Sequence, residues 1–421
     1  MQPRTCQSQA TGEAAPSLRS NFVWTFAGNS IYGACQWGVM SLIAKLGSGE
    51  MLGEYALALA LVMPVAMLSH LNLRAVLATD IFRRHPFGDY RTVRLWVSAA
   101  AMAVIVMMAL ASGRGATIAL SVVLIGFSLT ADIVSDVYYG AMLRRERMAE
   151  IAWSLIARGL LALVSFGVVL AATRSLLPSV AMLLLARLAV LWFFDRPRGS
   201  QGEDLAQQGR ESQWEIFRTA LPLGVVLMLV SFTSSVPRYA VEHFLGTREL
   251  GVFAAVAAFL TAGSTVVNAL GQSATPRLAR HFGQHEDRQF VGLALKLAGL
   301  AAALGVVGIV LAALVGGWVM RTLYRAEYGL YGPLLTQMMA AGGLVYVASA
   351  LGYVITSARS FLAQMPLLAV VAATSALMSW SLIPGWGLRG AAMAVAVTAS
   401  IQIAGELLIL HKAMRRLERV R

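Results

Sequence analysis

Apolar residues along this chain come in long runs, separated by short clusters of Arg, Lys, Asp and Glu. A bilayer's hydrocarbon core is about 30 Å thick and needs roughly 20 apolar residues per helix. Runs of that length can be marked at 20 to 45, 52 to 82, 92 to 112, 116 to 142, 149 to 173, 176 to 194, 214 to 244, 249 to 280, 290 to 320, 332 to 357, 362 to 383 and 387 to 411. The pattern predicts an all-α polytopic membrane protein with about 12 transmembrane helices.

The longest polar connection, residues 195 to 212, "DRPRGSQGEDLAQQGRES", follows the sixth run. Its Gly, Gln and charge content predicts a flexible or weakly helical linker. It divides the chain into an N-terminal lobe (1–194), a cytoplasmic linker (195–213) and a C-terminal lobe (214–421). The two halves share a phrase. "NLRAVLATDIFRRH", from Asn72, aligns without a gap on "NALGQSATPRLARH", from Asn268, matching Ala78 with Ala274, Thr79 with Thr275, Arg84 with Arg280 and His85 with His281. Copies with an even number of helices face the same way, and parallel repeats of this kind predict two pseudo-symmetric lobes around a central polar cavity.

Composition agrees: 58% of the 421 residues are hydrophobic and 13% charged, against roughly a quarter charged in soluble domains. The net charge of +13 is spread among short loops. That excludes a nucleic-acid-binding domain and points to anionic inner-leaflet lipid. With both termini cytoplasmic, inside loops and tails hold about 22 Lys and Arg against about 8 outside, as the positive-inside rule requires. Cys6 and Cys35 imply no disulfide framework. The polar first 20 residues lack a signal-peptide core, so the first apolar run reads as a retained helix.

Polar residues inside the runs show which faces avoid lipid. The first helix carries Asn21, Thr25, Asn29, Tyr32 and Gln36 on one face; the fourth carries Ser128, Asp132, Ser135, Asp136 and Tyr139; the seventh carries Ser231, Ser235, Arg238 and Glu242. One such stripe is compatible with hydrogen bonds between packed helices. Several stripes with full charges predict a watered cavity. Arg158 and Arg187 lie about eight residues from their cytoplasmic helix ends, roughly 12 Å, at the limit of snorkelling. Two readings stand side by side: these arginines and Asp132 and Asp136 neutralise one another, or the acids exchange a proton or cation while the arginines hold an anionic substrate. Arg74 is a lipid anchor or a ligand; Asn72 and Asn268 are shared packing donors or cavity groups. Glu242 is an intrahelical partner for Arg238 or a coupling acid. Glu406, with Thr398 and Gln402, reads as packing or a dimer contact. Pro64 and Pro222 are candidate kinks.

Other chemistry is thin. His281 and His285 flank a Gly beside acidic neighbours, which fits a solvated loop, so no metal site is predicted. No Gly-rich loop with Lys and Ser/Thr is present; no ATP site and no other cofactor are predicted.

The stretch "SSVPRYAVEHFLGTRELGVFAAVA", Ser234 to Ala257, resembles the junction of the seventh and eighth helices in bacterial polysaccharide flippases. "LNLRAVLATD" looks like the end of their second helix, and "GWGLRGAAMAVAV" is similar to the entry of their last. The resemblance implies the oligosaccharide-flippase branch of the superfamily that includes multidrug and toxin extrusion antiporters. It implies an undecaprenyl-diphosphate-linked oligosaccharide as substrate, the bacterial inner membrane, surface polysaccharide assembly, polymerase or assembly partners, and no enzymatic activity. Arginine suits a diphosphate because it supplies several donors at once. Two rivals remain: a cation-coupled drug antiporter of the same superfamily, which favours an acidic cavity, and a membrane glycosyltransferase or polymerase, which needs a catalytic loop at the membrane surface.

Overall fold

The computed structural model describes residues 18–80, 84–113, 115–284, 286–358 and 361–418, and the regular structure among them is helical. In chain order the helices are α1 (Leu18–Leu46), α2 (Gly49–His70), α3 (Leu73–Thr79), α4 (Phe87–Ala111), α5 (Ala116–Arg144), α6 (Met148–Thr173), α7 (Leu176–Val190), α8 (Arg196–Ser200), α9 (Arg210–Leu245), α10 (Thr247–Gly283), α11 (Asp287–Leu323), α12 (Gly332–Ser357) and α13 (Phe361–Glu418). A π turn, Leu191–Asp195, joins α7 to α8, and a 3-10 turn, Ala326–Tyr331, precedes α12. Gly387, at φ 59°, divides α13 into two rods. Among the described residues ten helices are long and apolar enough to cross a membrane. Adding α1, whose polar face lowers its hydropathy, and dividing α13 gives the predicted dozen crossings. An even number of crossings puts both chain ends at one face, called proximal below; the opposite face is distal.

One lobe is built from α1–α8, with α6 packed between α1 and α7 and α5 touching α2, α4 and α7; the other is built from α9–α13 around α12. Between lobes, α2 packs along α9 and α10, α1 touches α10, and α4 touches α9.

The second predicted helix differs from expectation. The run 52 to 82 reads as one helix with a kink at Pro64, yet α2 continues through Pro64 and stops at His70. Leu71 and Asn72 both adopt left-handed backbone, at φ 51° and 48°, which ends the α2 hydrogen-bond ladder before α3 begins. The carbonyls so freed need donors. Arg94 of α4, fully buried, supplies them: Nη1 donates to Ser69 O at 2.8 Å and Nη2 to His70 O at 2.9 Å. The repeat partner α10 has no such break and runs straight past Asn268 and Pro276. Likewise α9 continues through Pro222.

The polar connection is docked. Glu203, 1% exposed at its side chain, hydrogen-bonds to Arg144 and lies 3.5 Å from Arg145. Asp204 O accepts from Gly88 N at 3.1 Å, and Asp89 accepts from Gln208 N and Gln213 Nε2, both at 3.2 Å. A buried acid between two basic residues, plus backbone pairing, holds against the first lobe a segment whose composition alone suggests a flexible linker.

Candidate functional site

The lobes meet tightly at the distal face. The backbones of α2 and α10 nearly touch: a Cβ on Gly251 would lie 2.2 Å from Gly49 O, and one on Gly53 would collide with Thr247 O at 1.8 Å. Only glycine permits this approach. Arg325 reaches across and donates to Lys45 O (3.3 Å from Nη2) and to Gly47 O, catching the last carbonyls of α1. Trp37 Nε1 donates to Tyr324 OH at 3.2 Å, and Tyr239 OH donates to Ala60 O.

Toward the proximal face α10 loses this cover. Near its distal end, from Leu250 to Val256, it is buried at every position. Beyond that, Thr261, Thr265, Asn268 and Gln272 are exposed, at steps of 4, 3 and 4, which is one face of a helix. Polar groups on a crossing helix avoid lipid, so this stripe lines a gap between the lobes that is open proximally. Asn29 on α1 is exposed as well, its Nδ2 donating to Thr25 O at 2.7 Å, while Gln36 is half-buried. Tyr353 OH lies 3.5 Å from Asn268 Oδ1.

Within the first lobe the arginines meet acids. Arg158, 2% exposed, donates from Nη1 to Asp132 Oδ1 at 2.8 Å and from Nη2 to Ser135 Oγ at 2.5 Å and to Asp195. Arg187, 3% exposed, places Nη1 2.9 Å from Asp132 Oδ2. Tyr32 OH also donates to Asp132 Oδ2, at 2.9 Å. Asp195 takes a further bond from Ser154 Oγ at 2.5 Å, and Ser154 contacts Tyr139 OH at 2.7 Å. Two cations and two anions thus balance in a dry network drawn from α1, α5, α6, α7 and the π turn. The neutralising arrangement is the one present, and the guanidiniums are not turned to open space. Asp132, with 19% of its side chain exposed, is the member that reaches the surface of the network.

A looser group lies beside it. Asp136 faces His70 Nε2 at 3.4 Å and Arg74 Nη1 at 3.7 Å. Arg74 keeps 30% of its side chain exposed and lies over the Tyr139 ring at 5.8 Å. Asn72 makes no side-chain capping bond; its part in the fold is the left-handed turn. Asp80 accepts from Arg84 N at 3.1 Å, His85 N at 3.3 Å and Tyr90 OH at 3.2 Å.

Arg238 differs from the other arginines. It is half-buried in α9, and no described carboxylate pairs with it, Glu242 one turn away included. His281 Nδ1 contacts Glu286 at 2.5 Å; His285 and Cys6 lie outside the described residues. Sequence reasoning missed Asp195, which sits at the start of an apparent linker, and Arg94, which sits in an apparent loop cluster. The signal for Asp195 was its position directly after an unbroken apolar run, "LWFFD".

Two bundled lobes sealed together at one face, with a polar stripe open to the other, define a multi-pass membrane protein of the transporter and flippase fold. No family model matches the chain. It is similar to the capsular polysaccharide biosynthesis protein CapF of Staphylococcus aureus, 21% identical over 388 residues, 91% of this chain and 96% of that one. Among solved structures it resembles a multidrug resistance MATE family transporter of the MOP superfamily in an inward-facing conformation, at a TM-score of 0.76 and 12% identity over 94% of this chain and 99% of that one. It also resembles the lipid II flippase MurJ in an inward closed conformation, at 0.74 and 9% over 94% and 89%. The fold is therefore the one that MATE transporters and MurJ share. The resemblance to polysaccharide flippases read at residues 234 to 257 is supported along nearly the whole chain.

Proposed function

We propose that this protein is a flippase that moves an undecaprenyl-diphosphate-linked oligosaccharide across the bacterial inner membrane by alternating access, for O-antigen, capsule or exopolysaccharide assembly. In this reading both termini and the polar connection are cytoplasmic, basic loops rest on anionic lipid, and the proximal opening admits the headgroup while the lipid tail stays in the bilayer. The observation that carries it is the gap lined by Asn29, Thr261, Thr265, Asn268 and Gln272 and closed distally by the glycine seam. These side chains offer hydrogen-bond donors and acceptors that suit sugars.

Arg238, which pairs with no acid among the described residues, and Arg74, in a loose pair, are the cations offered to the diphosphate; Arg158 and Arg187 act through Asp132, whose charge they hold. Rocking of the lobes would break the Arg325 latch and expose the site distally. Depletion of the protein should accumulate lipid-linked repeat units facing the cytoplasm. If those units still reach the outer leaflet while drug susceptibility rises instead, the reading yields to a cation-coupled drug antiporter.

A further inference from the structure

Glu406 is a buried acid of the second lobe that the site above does not use. It is 2% exposed within α13. Its Oε1 accepts from Gln402 Nε2, one turn earlier, at 3.0 Å, and its Oε2 has no hydrogen-bond partner among the described residues. On the facing helix α12 stands Gly352, where a Cβ would come 3.6 Å from Oε1, so the carboxyl looks onto bare backbone. The charged groups of the elements packed around it are Arg238 and Glu242 of α9 and Arg389, His411 and Lys412 of α13, and among the described residues no cation forms an ion pair with it.

Burying a carboxylate without a cation is far more costly than burying a neutral carboxyl that keeps an amide hydrogen bond. The site therefore accommodates the protonated acid. The contrast with Asp132 is direct: two guanidiniums and a tyrosine hydroxyl lie at hydrogen-bond distance from its carboxylate oxygens. On the proximal side of this contact Gln364 Nε2 donates to Gly352 O at 3.2 Å, near the start of α13. Gly352 lies five residues from the proximal end of α12, about 8 Å at 1.5 Å per residue.

We propose that Glu406 is a proton-binding site that couples a proton to the transport cycle. It holds the proton in the present conformation. When the lobe rearranges, the O–H bond breaks heterolytically, the electron pair stays on the carboxylate, and the proton passes to water along the Gln364 side. The coupling rests on the transport reading above; the protonation does not.

Infrared titration of the full chain in lipid vesicles tests both. From mildly acidic to neutral pH the wild type should show a protonated-carboxyl C=O band that is lost in Glu406→Gln, and transport by that variant should lose its response to an imposed pH gradient. If the variant fails to fold, isotope labelling of glutamate carboxyls in the unmutated chain should shift the same band. A full band in Glu406→Gln, no glutamate band in the wild type, or an unchanged gradient response in the variant overturns the proposal. A band with no flipping of lipid-linked oligosaccharide sinks the transport reading and leaves the proton site standing.

Discussion

The two lobes derive from one repeated six-helix pattern, yet they place charge in the membrane in opposite ways. In the first, Arg158, Arg187, Asp132 and Asp195 are neutralised at hydrogen-bond distance, and all but Asp132 are almost fully enclosed. In the second, Glu406 and Arg238 stand apart, each without an ionic partner among the described residues. A paired charge in a dry interior stiffens the helices that hold it. A lone one has to be neutral, wet or waiting for a ligand. The first lobe thus reads as a rigid half, and the second as the half where protonation and binding change the balance.

The contrast can be broken most forcefully at Asp195. Asp195→Ala would leave the buried guanidiniums of Arg158 and Arg187 sharing the single carboxylate of Asp132, and removing one partner of a buried pair costs about 3–5 kcal/mol. A large drop in thermal stability of the protein in detergent is expected, with most of it restored when Arg158→Met is added. Equal stability of wild type and single variant would mean that the network is not a stabilising unit. A middle-sized effect is expected at the distal seam. Gly251→Val must push α2 and α10 apart where 2.2 Å separates a Cβ from Gly49 O, and overpacking of this kind costs about 1–3 kcal/mol. Disulfide formation between Glu50→Cys and Arg248→Cys should fall in that background; undiminished cross-linking would show that the seam yields without opening. The smallest change in stability belongs to Arg238→Ala, within about 0.5 kcal/mol because no ion pair is lost. Flipping of the lipid-linked substrate should fall sharply all the same, and normal flipping would remove Arg238 from the binding site.

The halves of the repeat also differ where their sequences match best. Asn72 and Asn268 begin the same phrase, but Asn72 sits in a left-handed turn that ends a helix, whereas Asn268 lies on the exposed face of an unbroken one. The cause is distant in sequence. Arg94 takes the carbonyls that the break in α2 releases, and a lone sequence phrase carries no trace of that donor. The same blindness hid Asp195, because its role depends on α6 bringing Arg158 alongside the end of α7. The polar stripe from Thr261 to Gln272 went unread although its spacing is helical, and the stripe that was read on α1 is split between solvent and protein: Asn29 is open and Tyr32 turns to Asp132.

What the sequence by itself determined is everything governed by local periodicity and transfer free energy: an all-helical chain in a membrane, about a dozen crossings, a duplication, and the faces of α1, α5 and α9 that refuse lipid. Only the tertiary structure decided which acid meets which arginine, which face of the bundle is sealed, and which charges are left alone. The physical reason is that a helical repeat states which residues share a side, whereas pairing and burial depend on which other helix lies against that side. That neighbour is chosen by glycine-sized gaps such as Gly49, Gly53 and Gly251 and by the packing of the whole lobe.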